Sequence, residues 1–119
     1  MSAAHGDDGE VIEFADFAKV DIRTGTIVSC TLNSKARVPA FAIEIDFGAL
    51  GTRMSSAQLT ENYRAEDLVG KQIVAVVNFP PKRIAGVKSQ VLILGAVSEE
   101  SGVVLLEPTQ RVDNGVPIA

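Results

Sequence analysis

Histidine and cysteine are nearly absent: the 119-residue chain holds one of each, His5 and Cys30, and tryptophan is missing. One cysteine excludes an intrachain disulfide and any cysteine-built metal site. The single histidine lies in the small, polar and acidic stretch MSAAHGDDGE. No imidazole base is therefore left in a segment patterned to fold, which argues against serine–histidine or cysteine–histidine catalysis. GxxxxGKS, GxxxxGKT and GxGxxG runs that would cradle phosphates are also missing. Apolar runs such as IVAVV and VLILGAV fall far short of the ~20 residues of a membrane-crossing helix. The acidic N-terminus is unlike a basic signal or transit peptide. No membrane insertion and a cytoplasmic location are expected. Aromatic residues make up 5% of the chain, so there are few platforms for stacking unpaired bases. These absences favour a binding protein over an enzyme, with no cofactor and no metal.

What is present is the composition of one globular domain, 46% hydrophobic and 22% charged. The net charge of −4 hides an uneven distribution. Up to Asp21 only Lys19 opposes Asp7, Asp8, Glu10, Glu13, Asp16 and Asp21. Residues 22–90 are net basic, and after them Arg111 alone opposes Glu99, Glu100, Glu107 and Asp113. A local basic field, more than the total charge, decides whether an anion is attracted. Residues 1–13 read as an acidic flexible tail and residues 14–119 as one domain.

Along the chain, FADF (14–17) offers a helical turn, and residues 19–32 read as a long strand whose internal Gly25 suggests a bulge or bend. AFAIEIDFG (40–48) alternates cleanly, with Phe41, Ile43, Ile45 and Phe47 on one face. TRMSSAQL (52–59) is a more polar strand and TENYRAEDLVG (60–70) a short helix closed by Gly70. KQIVAVVNF (71–79) and KSQVLILGAV (88–97) read as buried strands, VVLLEP (103–108) as a sixth, and VDNGVPI (112–118) as a turn with a short terminal strand. Phe14 and Phe17 are expected inside with Phe41 and Phe47.

Three strands, a short helix and two strands is the order of an OB-fold. The fold class predicted is all-β with one short helix: a five-stranded Greek-key barrel with additional C-terminal strands. Oligonucleotides are usually gripped by the loops after strands one and four, here NSKARVPA (33–40) and FPPKRIAGVKS (79–89). Both are free of acids and together carry Lys35, Arg37, Lys82, Arg83 and Lys88. Pro80 and Pro81 lack N–H donors and fix φ, ending strand pairing and holding the cations on a stiff extended arm. The candidate ligand-binding set is these five cations with Arg53, Ser55, Ser56, Asn78, Phe79, Pro80 and Pro81. Glu44 and Asp46 lie on the solvent side of the second strand and interrupt any continuous basic surface there.

The stretches DFAKVDIRTGTIV, ARVPAFAIEIDFG, SSAQLTENY, LVGKQIVAVVNFPPKRIAGVKSQVLILGA and VLLEPTQRVDNG resemble the CsaA protein-export chaperones of the tRNA-binding, EMAP-II-like OB-fold group. The double proline resembles CsaA in particular. The resemblance implies a homodimer closed partly by C-terminal segments, binding unfolded or presequence polypeptides. It implies as the alternative a module that recognises tRNA shape and phosphates through Lys82, Arg83 and Lys88, with Ser55 and Ser56 beside them.

Overall fold

Alternation makes the most regular wall of the core. In β2 (Phe41–Asp46), Phe41, Ile43 and Ile45 are at most 4% exposed, while Ala42, Glu44 and Asp46 are half-buried on the opposite face. The structure, a computed structural model, describes residues 10–119, so most of the acidic segment expected as a tail, His5 included, lies outside the described residues.

β1 (Ile22–Leu32) serves two partners, pairing antiparallel with β4 (Gln72–Val76) through residues 22–26 and with β2 through residues 26–32. The irregularity between these halves is a bulge between Ile27 and Ser29, not at Gly25. Gly25 answers a packing demand: a Cβ there would lie 2.6 Å from Ile45 Cγ2 and 2.7 Å from Phe47 Cε1. β3 (Thr52–Ala57) follows a 3-10 turn at Gly48–Leu50 and pairs with β2. α2 (Ala65–Leu68) buries Leu68 in the core, and every residue of the β-branched run in β4 is buried.

β5 (Lys82–Ile84) and β6 (Val87–Ser89) form a separate hairpin, after which β7 (Leu92–Ile93) returns to β4. The main sheet runs β3-β2-β1-β4-β7. Residues 90 and 91 close its open side: Gln90 N–H donates to Met54 O (2.8 Å), Met54 N–H to Gln90 Oε1 (3.0 Å), and Ser55 Oγ–H to Val91 O (2.9 Å). The result is a nearly closed antiparallel barrel of the OB type with extra C-terminal strands.

Residues 88–97 were expected to be one strand, but the chain changes partner twice within them. It leaves the β5–β6 hairpin to line the seam against β3, then departs from β4 after Leu94 as β8 (Gly95–Ser98), which pairs with β9 (Gly102–Leu105). Gly95 permits the second change, since a Cβ there would meet Val103 Cγ1 at 2.8 Å. β9 is the sixth strand read in VVLLEP. The C-terminal segment then lies along β1: Thr24 N–H donates to Val116 O (3.1 Å) and Ile118 N–H to Ile22 O (2.9 Å). Gln72 pins it, donating from Nε2 to Val112 O (2.7 Å) and accepting Val112 N–H at Oε1 (3.0 Å).

α1 (Phe14–Ala18) stays outside the barrel, where Asp16 Oδ2 accepts Glu13 N–H (3.0 Å). Phe14 and Phe17, expected inside, are therefore 80% and 37% exposed. Their apolar character marks an outer face of the domain.

Candidate functional site

The segment read as a stiff arm after Pro80 and Pro81 is a hairpin. Its two-residue turn, Ala85–Gly86, has φ of +47° and +86°; a two-residue turn of type I′ needs positive φ at both positions, and its twist matches that of the flanking strands. Alanine enters this region at a cost of roughly 1–2 kcal/mol. Contacts from the first loop hold the tip. Asn33 Nδ2 donates to Ala85 O (3.2 Å), and Lys35 Nζ lies 3.9 Å from where a Cβ on Gly86 would stand. The first loop is itself tied, Asn33 Oδ1 accepting Lys35 N–H (3.1 Å) and Asn33 N–H donating to Ala40 O (2.9 Å). The two basic loops thus meet at one rim of the barrel.

Alternation along β5 and β6 gives the hairpin two faces. Lys82 and Ile84 project toward an apolar cavity of about 390 Å³ walled by Phe79, Pro80, Val91 and Leu92. Arg83 stands directly across from Lys88 on the other face, and its Nη1 donates to Gly86 O (3.1 Å). Like charges in opposed positions repel, and an anion bound between them would relieve the pair. A second cavity, about 410 Å³, is bordered by Lys35, Arg37, Val38 and Gln58 and shares Ser56 and Ile84 with the first. Together they make one groove with mainly apolar walls, Lys82 at one end and Lys35 and Arg37 at the other. Among the described residues, no Asp or Glu lines either cavity. Among the described residues the ion pairs are Arg23–Asp21, Arg64–Glu66, Arg64–Asp67 and Lys71–Glu107, so none of the five loop cations is consumed by one.

The groove gathers Lys35, Arg37, Ser56, Phe79, Pro80 and Lys82 from the candidate set. Pro81 leads into β5, while Arg83 and Lys88 occupy the outer face of the hairpin. Three candidates lie elsewhere. Ser55 is 1% exposed in the barrel seam, bonded to Val91 O. Arg53 Nη1 donates to Val77 O (3.3 Å). Asn78 clamps the entry to β1, accepting Asp21 N–H at Oδ1 (3.0 Å) and donating from Nδ2 to Lys19 O (2.7 Å). Conversely, Ile84, Leu92, Val38 and Gln58 line the groove without having been singled out in sequence. Strand alternation from Lys82 flags Ile84; the others come together only through long-range folding.

Glu44 and Asp46 are taken up locally and border neither cavity: Glu44 Oε1 accepts Ser29 Oγ–H (3.1 Å) and Asp46 Oδ1 accepts Gly48 N–H (2.8 Å). Burial pushes the Cys30 thiol up to about 11, which keeps it protonated and unreactive at neutral pH. No helix among the described residues is long and apolar enough to cross a membrane.

An OB barrel whose rim carries a groove and, among the described residues, cations outside any ion pair has the form of a ligand-binding module. Residues 22–117 match the family model described as "Putative tRNA binding domain", and the chain belongs to that family. Solved structures similar to this chain include CsaA chaperones. The chaperone CsaA of Bacillus anthracis is 54% identical with a TM-score of 0.88, the match covering 92% of this chain and 100% of that one. CsaA of Picrophilus torridus is 45% identical with a TM-score of 0.86, at the same coverage. The methionine–tRNA ligase of Methanococcoides burtonii is 35% identical over 109 residues, which are 92% of this chain but 16% of that enzyme.

Proposed function

We propose that the protein is a cytoplasmic, CsaA-like export-related chaperone that binds unfolded or presequence polypeptides in the groove between residues 33–40 and 79–92, without catalysis of its own. The observation that carries this reading is the apolar cavity walled by Phe79, Pro80, Ile84, Val91 and Leu92. Side chains exposed in unfolded chains gain by entering such a site, whereas a phosphate meets mainly apolar walls there and Lys82 as its one cation. The matching test is a titration of purified protein with a permanently unfolded, reduced and alkylated polypeptide, read by anisotropy and by suppression of its aggregation. Saturable binding with slowed aggregation is expected; absence of both refutes the reading.

A homodimer belongs to the same proposal. Phe14 and Phe17 are 80% and 37% exposed, and they share a surface cleft with exposed Val20 and Ile118 on one side of the barrel. Exposed apolar residues grouped in this way are characteristic of interaction surfaces. Sedimentation at micromolar concentration is expected to give a dimer, and Phe14→Asp a monomer; a monomeric wild type removes this part.

A second reading, tRNA binding, is favoured by the opposed Arg83–Lys88 pair and by Lys35 at the hairpin tip. Each phosphate contact adds a slope of about 0.7–0.9 to the fall of log affinity with log salt. Arg83→Ala with Lys88→Ala is expected to flatten that slope by roughly 1.5 for total tRNA. An unchanged slope excludes both residues as phosphate contacts.

A further inference from the structure

The β5–β6 hairpin is fastened to itself better than to the barrel. Its residue pairs, Lys82–Ser89, Arg83–Lys88 and Ile84–Val87, form a sheet of their own. Among the described residues, three hydrogen bonds join residues 82–89 to the rest of the chain: Asn33 Nδ2 to Ala85 O (3.2 Å), Ser56 N–H to Ser89 Oγ (3.3 Å) and Ser89 Oγ–H to Val91 O (3.5 Å). All are longer than the usual 2.9–3.0 Å. No residue of the hairpin is buried, and neither Ile84 nor Val87 belongs to the central apolar cluster. Cavities interrupt its seat. Besides the two already described, one of about 250 Å³ is bordered by Ala85, Gly86 and Val87 on the hairpin and by Leu32 and Asn33 beneath, so dispersion contacts are forfeited on that side. Pro80 and Pro81 carry no N–H with which to extend the ladder of β4. The firm anchors are Val77 N–H to Asp21 O before the hairpin and Gln90 N–H to Met54 O after it, both 2.8 Å.

We propose that the hairpin is a gate over the groove, pivoting between the anchors at Val77 and Gln90 and opening while the barrel stays folded. Three features of the hairpin favour opening. A two-stranded ribbon without a further sheet partner is marginal, Arg83 and Lys88 repel across the ladder, and Ala85 takes a positive φ that suits Asn or Gly better. Asn33 is the latch at the tip. Ser56 of β3 and Ile84 of the hairpin are the two residues that line both cavities of the groove. Lifting the hairpin therefore removes half of the partition and leaves one trough, into which a chain can be laid from the side; closure then retains it. This role rests on the polypeptide-binding reading above, whereas the opening rests on the hairpin alone.

Native-state amide hydrogen exchange on the full chain tests the opening. Residues 82–89 are expected to exchange at least about a hundredfold faster than β4. Ala85→Asn supplies the Asn-Gly pair favoured in this turn and is expected to slow exchange of the hairpin about fivefold. Asn33→Asp keeps the acceptor for Lys35 N–H but removes the Nδ2 donor, and is expected to speed exchange by a similar factor. Exchange in β4 stays unchanged in both. Stopped-flow mixing with a labelled, reduced and alkylated polypeptide tests the gate. Entry and exit pass the same opening, so both rates follow the open fraction: Ala85→Asn is expected to slow association and dissociation alike, and Asn33→Asp to hasten both. Hairpin exchange as slow as that of β4 in the wild type overturns the gate. Rates unmoved in both variants, with exchange shifted as expected, overturn the gating role and leave polypeptide binding standing. Failure of the polypeptide to bind the wild type overturns the gating role together with the reading beneath it.

Discussion

Phe79→Ala separates the groove from the barrel. Phe79 is 53% exposed, so of the roughly 200 Å² a phenylalanine can bury, about 100 Å² still faces water and is open to a ligand. At about 25 cal/mol per Å², full coverage stabilises the complex by about 2.5 kcal/mol and half coverage by about 1.2 kcal/mol. Truncation is therefore expected to weaken binding of an unfolded polypeptide by roughly tenfold to seventyfold. The half already packed against the barrel is smaller in effect because Phe79 lies outside the central cluster. A loss of about 1 kcal/mol, or a fall of roughly 4 °C in Tm, is expected. The assay is anisotropy with a reduced, alkylated polypeptide, with thermal unfolding of the same samples alongside. Unchanged affinity in a folded Phe79→Ala protein refutes the reasoning, since an exposed aromatic wall of the cavity would then contribute nothing.

Other consequences concern the scaffold. Gly25→Ala places a methyl within 2.8 Å of the fully buried Ile45 and Phe47; overpacking of about 1–3 kcal/mol is expected in urea unfolding, and a neutral result removes the packing role given to Gly25. Ser55→Ala breaks the bond to Val91 O in the seam and is expected to cost about 1–2 kcal/mol of stability with peptide affinity unchanged; a loss of affinity in the folded variant would return Ser55 to the binding surface. The Cys30 thiol, shifted from 9.0 to about 11, is expected to react with iodoacetamide at pH 8 roughly a hundredfold more slowly than in the urea-unfolded chain. Equal rates would mean that the thiol is not held protonated by burial.

The sequence made the barrel legible where one physical rule acted alone. Period-two alternation located β2, and a β-branched apolar run located β4, because burial of one or both faces writes itself directly into residue type. The meeting of the loops around Lys35 and Lys82 followed from element order. Partner changes were not legible. Nothing in KSQVLILGAV distinguishes a residue facing β3 from one facing β4 or β9, so the breaks at Gln90 and Leu94 went unread. Ser55 and Ser56 are neighbours of the same type, yet the pleat sends one into the seam and the other into the groove. Deciding between them requires the closing register, which only Gln90 and Val91 supply. Phe14 and Phe17 misled for a related reason: an apolar helical turn looks alike whether it faces its own core or an outer surface.

Polypeptide is proposed to lie in the groove between the two loops. The most direct measurement is photo-crosslinking from p-benzoylphenylalanine placed singly at positions 38, 79, 88 and 97, with an unfolded polypeptide bound. Crosslinks are expected from positions 38 and 79 that an excess of unlabelled polypeptide removes, and none from 88 or 97. Crosslinking from 88 or 97 with 38 and 79 silent contradicts it.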